Sequence, residues 1–180
     1  MTRTLLSLVF VYVLAALQPA PQAQVVRLDL TQMLEQTDDC VFGRIEARRV
    51  LRIDHPVDGP GLYFTTLTVV GRSLVSEEDV RVDVTYAGGF VDERNGVFNS
   101  EAPSEDEVRL GTEVVVFHGW SSNLGGDLAG QALWGSHGGL YPCRTNRAGE
   151  TIVLGRGVGY PIDANTSLES LASEVREQRR

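Results

Sequence analysis

Three histidines and two cysteines are the nitrogen and sulfur side chains of this 180-residue chain that could ligate zinc. Zinc sites are usually nucleated by a closely spaced pair of ligands, such as C-x-x-C or H-x-x-x-H. His55, His118 and His137 lie at no such spacing, and Cys40 is more than a hundred positions from Cys143. We therefore predict no metal and no other cofactor, and we interpret His118 as a hydrogen-bonded residue at a strand end.

A second candidate for chemistry is VVVFHGW, residues 114–120, followed by GSHGG, residues 135–139. The first run resembles the strand and His-Gly turn that form the oxyanion hole of α/β-hydrolases. A nucleophile elbow, however, needs Gly two residues before the Ser, and Trp134 stands two residues before Ser136. The triad order also requires a His downstream of the nucleophile, and His137 is the last histidine of the chain. We predict that the protein is not an enzyme, and we keep a hydrolase as a disfavoured alternative.

Other patterns have an ordinary structural interpretation. The acidic clusters at 77–79 and 101–107 lack the alternating ligands and central Gly of a calcium loop, so a solvated charge run is favoured. Glycines 155, 157 and 159 precede Tyr-Pro-Ile rather than a helix that could receive a phosphate. Trp120 and Trp134 could form an aromatic ligand pair, but a place in the barrel core or rim is favoured.

The amino-terminal segment predicts export. MTRT is followed by mostly apolar residues 5–17 and a Pro/Ala-rich stretch, which is typical of a secretory signal peptide cleaved after Ala23. The apolar run is short for a membrane span, although an uncleaved anchor stays open because Pro21 fits the cleavage site poorly. We expect a secreted or periplasmic protein with no stable membrane span after cleavage.

The predicted compartment bears on the state of the two cysteines. Two cysteines in an oxidising environment are most simply one disulfide, here Cys40 to Cys143. Two free thiols, or a link between chains, are the alternatives.

The charge balance narrows the class of partner. The chain carries 24 acidic residues against 16 arginines, with no lysine, and its formal net charge is −8. An acidic protein is a poor match for nucleic acid or for an anionic lipid surface. The absence of lysine is typical of a GC-rich genome rather than of a demand for guanidinium groups.

The polar and apolar residues alternate in a way that predicts strands. Residues 40–54 read as a long bent strand, with Gly43 as a place to bend, and residues 62–71 follow as a second strand. The third run, residues 79–86, alternates without a fault, whereas 112–119 is apolar on both faces and should be central. Strand pieces at 131–134 and a hairpin turning at 146–149 complete the set.

Two helices flank these strands. Asp29 and Gln32 stand at capping-box spacing, and so do Thr166 and Glu169. We predict a mainly β fold, namely a small antiparallel OB-like barrel of five or six strands with a short amino-terminal helix and a carboxyl-terminal amphipathic helix that docks lightly or frays. The domain organisation is then signal peptide 1–23, barrel 24–160 and helix 161–180.

The connection over residues 87–111 interrupts the pattern, with six acids against two arginines. Its 25 residues exceed the usual loop length, so it is a functional loop, a flexible excursion or a loop packed by its own Phe90 and Phe98.

The succession of strands also carries a family resemblance. Its marks are residues 37–45, 65–71 and 80–84, Gly88-Gly89 and residues 111–117. The chain resembles exported bacterial proteins of unassigned function with an OB-like barrel, and it is distantly similar to the netrin-like domain of tissue inhibitors of metalloproteinases. The resemblance and the exclusions above predict a non-catalytic binding or structural module that contacts an unknown protein or envelope component. An inhibitor of an exported peptidase is the alternative.

Overall fold

The computed structural model describes residues 28–179, so the predicted signal peptide lies outside the described residues. The elements are α1 (Leu30–Glu35), β1 (Asp39–His55), β2 (Gly59–Ser73), β3 (Asp79–Ala87), β4 (Gly89–Phe90), β5 (Gly96–Val97), β6 (Glu113–Ser121), β7 (Gly130–Leu133), a 3-10 turn (Ser136–Gly139), β8 (Leu140–Thr145), β9 (Thr151–Val153), β10 (Thr166–Ser167) and α2 (Leu168–Gln178). Neither described helix has the length and apolar character that a bilayer crossing needs.

Five strands close into a barrel in the order β1-β2-β3-β7-β6, and β6 pairs back onto β1. Four of the five pairings are antiparallel, and β3 with β7 is parallel through Val84 and Thr85. The predicted mainly β, OB-like barrel flanked by two helices is confirmed, with this one parallel pairing as a feature that the antiparallel prediction lacked. Strands β8, β9 and β10 extend the sheet beyond β6.

The long first strand bends by a bulge. Its register against β2 shifts between Ile45 and Ala47, so Ile45 is buried whereas Ala47 is exposed. Gly43 was predicted to let the strand bend, but in the structure it allows close contact with Gly71 of β2. A Cβ on Gly71 would lie only 2.4 Å from the Gly43 Cα. The two glycines let the backbones of β1 and β2 approach closely beside the bulge.

Strand β6 separates two hydrophobic cores, as its apolar faces predicted. One face contributes Val114 and Val116 to the barrel interior, where they meet residues such as Ile45 and Leu67. The other face contributes Val115 and Phe117 to an outer core beneath the helices. β6 is thus covered on both sides and holds the barrel against the helices.

Both helices pack on this outer core. The predicted capping box of α1 is present, with Asp29 accepting from the Gln32 N–H at 2.8 Å. For α2 the predicted cap is wrong, since Ser167 rather than Thr166 accepts from the Ser170 N–H. Leu171, Ala172 and Val175 of α2 are buried, so this helix docks firmly instead of fraying.

Candidate functional site

The turn between β1 and β2 is held in a fixed shape by its own side chains. Asp54 accepts the Gly61 N–H at 2.8 Å, and the Nδ1 atom of His55 accepts the Asp58 N–H at 3.0 Å. Gly59 and Gly61 both have positive φ, which is the region that glycine adopts without strain. The turn therefore presents the Asp58 carboxylate in a defined position.

The loop between β6 and β7 docks onto this turn. The Gly126 N–H donates to Asp58 Oδ2 at 2.8 Å, and His55 Nε2 donates to Asp127 Oδ2 at 3.1 Å. The direction of this second bond follows because Nδ1 of His55 already accepts a backbone N–H. A side chain at Gly125 would press on the Phe64 ring, with its Cβ at 3.0 Å. The two connections thus form one ordered wall.

A small hairpin, β4 with β5, stands opposite that wall. Its base is tied to the barrel because the Gly88 N–H donates to the Tyr63 carbonyl and the Thr65 hydroxyl donates to the Gly88 carbonyl, each at 2.7 Å. Asn99 adds a bond to the Ala87 carbonyl at 2.9 Å. The hairpin is consequently anchored on both of its strands.

Between the wall and the hairpin lies a groove of about 470 Å3, which we name the loop groove. Its floor is the start of β2, where Phe64 is buried, and one side carries Phe98 with 80% of its surface exposed. The lining residues are Asp58, Gly61, Leu62, Tyr63, Phe64, Ala87, Gly88, Val97, Phe98, Asn99, Ser100, Leu124 and Gly125.

The position of the loop groove in the barrel favours it as the binding site. OB-folds bind their ligands on the face of strands 2 and 3 and through the loops that join strands 1 to 2 and 4 to 5. Here those elements are β2, β3, the β1–β2 turn and the β6–β7 loop, since β6 and β7 are the fourth and fifth barrel strands. The loop groove lies between them.

A larger depression of about 740 Å3 lies on the outer face of β1 and β2. Two of its arginines are already in ion pairs, since Arg44 contacts Glu113 at 3.4 Å and Arg81 contacts Glu46 at 2.8 Å. A ligand there would compete with these ion pairs. Size alone therefore does not favour it over the loop groove.

The surroundings of the loop groove are acidic. The three segments that form it, residues 54–64, 87–101 and 123–127, hold six carboxylates against one arginine. Among them, hydrogen bonds from the Asn95 side chain and the Arg94 N–H hold the pKa of Asp92 below its ordinary value. The groove thus combines an apolar floor with a negative rim.

No family model, no curated protein and no solved structure matches this chain. The suspected relation to exported OB-like proteins and to the netrin-like domain remains a prediction.

The predicted disulfide is wrong. Cys40 and Cys143 are both free and buried. Cys40 lies in β1, opposite Phe117 on one edge of β6. Cys143 lies in β8 next to Pro142, which is opposite Val114 on the other edge of β6. Two strands with a third between them are about 10 Å apart, beyond the roughly 4.4–6.8 Å between the Cα atoms of a disulfide.

We expect both thiols to resist modification in the folded protein. Burial raises the pKa of Cys143 to about 12 and raises the pKa of Cys40 well above its ordinary value. Because the thiolate is the reactive form, a thiol reagent at pH 8 should detect almost no cysteine until denaturant is added, and then two per chain. Rapid stoichiometric reaction of the native protein would contradict this burial.

The three histidines are not brought into one site. His118 is buried, and its Nδ1 atom lies 2.9 Å from Gln131 Oε1, which fits the predicted hydrogen-bonded strand residue. His137 accepts from the Tyr160 hydroxyl at 2.8 Å and donates to the Glu101 carbonyl at 2.9 Å. His137 therefore joins the long connection to the 3-10 turn. Among the described residues, no three His, Cys, Asp or Glu side chains form a group suited to a metal ion.

The two tryptophans occupy different environments. Trp134 is partly buried and packs against the outer core, whereas Trp120 is exposed at the end of β6. The backbone N–H of Trp120 donates to Asp38 at 2.6 Å. Neither side chain lines the loop groove.

The long connection is ordered by side chains that its sequence pattern did not single out. Phe98 is 80% exposed, and Phe90 is partly exposed with its ring beside Gly96, so neither is the buried anchor of one of the three predicted alternatives. Instead, Val108 enters the barrel core and Glu105 forms a bidentate pair with Arg48. The loop between β4 and β5 is residues 91–95, where the Asp92 carboxylate accepts the N–H groups of Arg94 and Asn95. Asp is a residue that favours such turns, so Asp92 is the signal that could have revealed this one.

Glu107 is a further anchor of this connection. Burial alone would raise its pKa, but the backbone N–H and hydroxyl of Ser104 and the Arg156 guanidinium outweigh burial and hold the pKa of Glu107 below its ordinary value. Arg156 also donates to the Leu140 carbonyl at 2.7 Å. The ionised form of Glu107 is thus the one that fits the fold.

The Glu107→Gln variant should lose about 1 kcal/mol of stability at pH 7, the difference between hydrogen bonds to charged and neutral groups. The pKa of Glu107 is lower in the folded protein than in the unfolded chain, so its carboxylate stabilises the fold above the unfolded pKa of about 4.3. That stabilisation is lost as pH falls through the folded pKa. The difference in free energy of unfolding between wild type and variant, measured by denaturant unfolding, should therefore disappear below about pH 4.

Asp106→Asn is the matched control, because Asp106 and its partner Arg109 are both exposed. Its effect should stay within about 0.5 kcal/mol at pH 7. A gap between wild type and Glu107→Gln that persists unchanged at pH 3 would contradict the role of the Glu107 carboxylate.

Proposed function

We propose that this chain is an exported, non-catalytic binding module that contacts a protein or envelope component through the loop groove. Export is inferred from the apolar run and Pro/Ala-rich stretch of residues 1–23. The observation that carries the proposal is the exposed Phe98 beside an apolar floor on the face that OB-like barrels use for binding. Four of the exposed large apolar side chains lie on this one hairpin segment: Phe90, Val91, Val97 and Phe98.

The groove is preformed, which supports binding. Its wall is held by the His55 and Asp58 contacts to the β6–β7 loop, and its hairpin is tied at Gly88 and Asn99. A preordered surface loses less conformational entropy on association than a flexible one. The long connection is therefore interpreted as a recognition element rather than a tether.

We expect Phe98→Ser to weaken partner binding at least tenfold, because an exposed aromatic anchor at the centre of a contact contributes much of its energy. The matched control is Val158→Ser, since Val158 is 87% exposed but does not line the loop groove. Wild type and both variants would be used as baits against the envelope and medium fractions of the producing cell. The recovered protein would then be titrated against each bait by calorimetry.

Equal affinity of the wild type and Phe98→Ser for that partner would refute the loop groove as the contact surface. Circular dichroism of each variant controls for folding. Turnover of an ester, peptide or glycan by repurified protein would refute the non-catalytic assignment.

A second candidate is an inhibitor of an exported peptidase. An inhibitory segment must protrude and be ordered before binding, and the anchored hairpin that carries Phe98 meets both conditions. This candidate predicts that stoichiometric amounts of the protein slow exported peptidases and that residues 88–100 resist cleavage. Rapid digestion within that segment would exclude it.

A further inference from the structure

The rim of the loop groove carries negative charge that internal cations leave largely uncompensated. The Asp58 side chain is 40% exposed and that of Asp127 is 80% exposed. The chain contains no lysine, and beyond the Arg52–Asp54 pair the segments around the groove hold Arg94 and His55. The His55 ring lies 3.1 Å from the Asp127 carboxylate and 3.4 Å from that of Asp58, with Nδ1 accepting a backbone N–H. A ligand that brings its own cation would find complementary charge at this rim.

The floor of the groove is apolar and of limited size. Leu62, Phe64 and Leu124 line it, and Phe98 stands exposed at its side. A volume of about 470 Å3 falls in the range of sites that enclose one small-molecule-sized group. The groove therefore suits one or two side chains of an extended segment rather than a folded face.

We infer that the loop groove takes an extended peptide segment of a partner protein that carries an apolar anchor side chain next to Arg or Lys. The anchor packs on the floor beside Phe98, and the cation lies against Asp58 and Asp127. This inference rests on the proposed function, because it names the chemistry of the partner for the same groove. Nucleic acid fits poorly, because phosphates would face the carboxylates of the rim.

The test uses the full chain labelled with 15N and three capped tetrapeptides: Arg-Leu-Phe-Arg, Gly-Leu-Phe-Gly and Glu-Leu-Phe-Glu. The basic peptide should shift the backbone amides of residues that line the loop groove, and its Kd should be at least tenfold lower than that of the acidic peptide. The Kd of the neutral peptide should lie between those of the other two. Raising the salt to 1 M should remove most of this preference, since the screening length falls to about 3 Å.

A charge variant separates attraction from packing. Asp58→Asn removes the charge but keeps an oxygen that can accept the Gly126 N–H. It should weaken the binding of the basic peptide about threefold to tenfold and affect the binding of the neutral peptide less. Phe98→Ala should weaken the binding of both the basic and the neutral peptide.

Equal binding of the acidic and basic peptides, shifts that map outside the loop groove, or no binding by any peptide would each overturn the inference. Shifts in the groove caused only by an oligosaccharide such as chitotetraose would overturn it in favour of a glycan. If the native partner still requires Phe98 in any of these cases, the partner chemistry is wrong and the binding module stands. If the native partner binds Phe98→Ser normally, the proposed function itself fails.

Discussion

Replacing Phe117 by alanine is expected to lower the free energy of unfolding by about 3–5 kcal/mol, the range for truncating a buried aromatic residue. Phe117 is fully buried on β6, and its ring meets the edge of Tyr141 with centroids 6.0 Å apart. Its side chain lies in the outer core that joins the barrel to both helices. The substitution would leave a cavity at that junction, which denaturant unfolding measures directly.

Phe98→Ala deletes the same atoms at an 80% exposed position and is the matched control. Its effect on stability should stay within about 0.5 kcal/mol. Similar losses for Phe117→Ala and Phe98→Ala would contradict the assignment of Phe117 to the core.

The second large effect is expected at Gly71. A Cβ there would lie 2.1 Å from the Phe42 carbonyl oxygen, which is a backbone atom and cannot rotate away. Gly71→Ala must therefore separate β1 from β2 beside the bulge and should cost about 1–3 kcal/mol or more. The slope of the denaturant transition should stay unchanged if the barrel itself is retained.

Gly130→Ala provides the comparison within a strand of the same barrel. A Cβ on Gly130 would meet nothing within 4 Å, and its φ is not in the left-handed region. Alanine should be neutral there or stabilise by up to about 1 kcal/mol through the unfolded state. Equal losses at Gly71 and Gly130 would show that backbone crowding is not the cause.

Much of the barrel was predictable because single strands carry their own pattern. The alternation of residues 79–86 predicted β3, and the apolar run of 112–119 identified the doubly covered β6. The bulge after Ile45 was not predictable, since it depends on how β2 pairs with β1. The parallel pairing of β3 with β7 joins segments about 45 residues apart and is a property of closure rather than of local sequence.

The site was harder to predict than the fold. Residues 58–64, 97–100 and 124–125 meet only after the barrel has closed, and none of these segments contains a chemical motif. The unusual length of the 87–111 connection did indicate a functional loop as one alternative, and part of this connection lines the loop groove. The exposure of Phe98 could not be predicted from the sequence, because it depends on how the hairpin is anchored to β2 and β3.

The cysteines illustrate the same limit. Compartment and even number favoured a bond between Cys40 and Cys143, but the decisive quantity is their placement on opposite sides of β6. Burial raises the pKa values of both thiols and keeps them unreactive instead.

The central claim, that the loop groove is the contact surface, is tested most directly by site-specific photocrosslinking. A photoreactive amino acid would replace Phe98 in one preparation and Val158 in another, both of which are highly exposed positions. After irradiation with the purified partner, we expect a covalent complex from position 98 and none from position 158. Crosslinking at position 158 with none at position 98 would contradict the claim and place the contact on another face of the barrel.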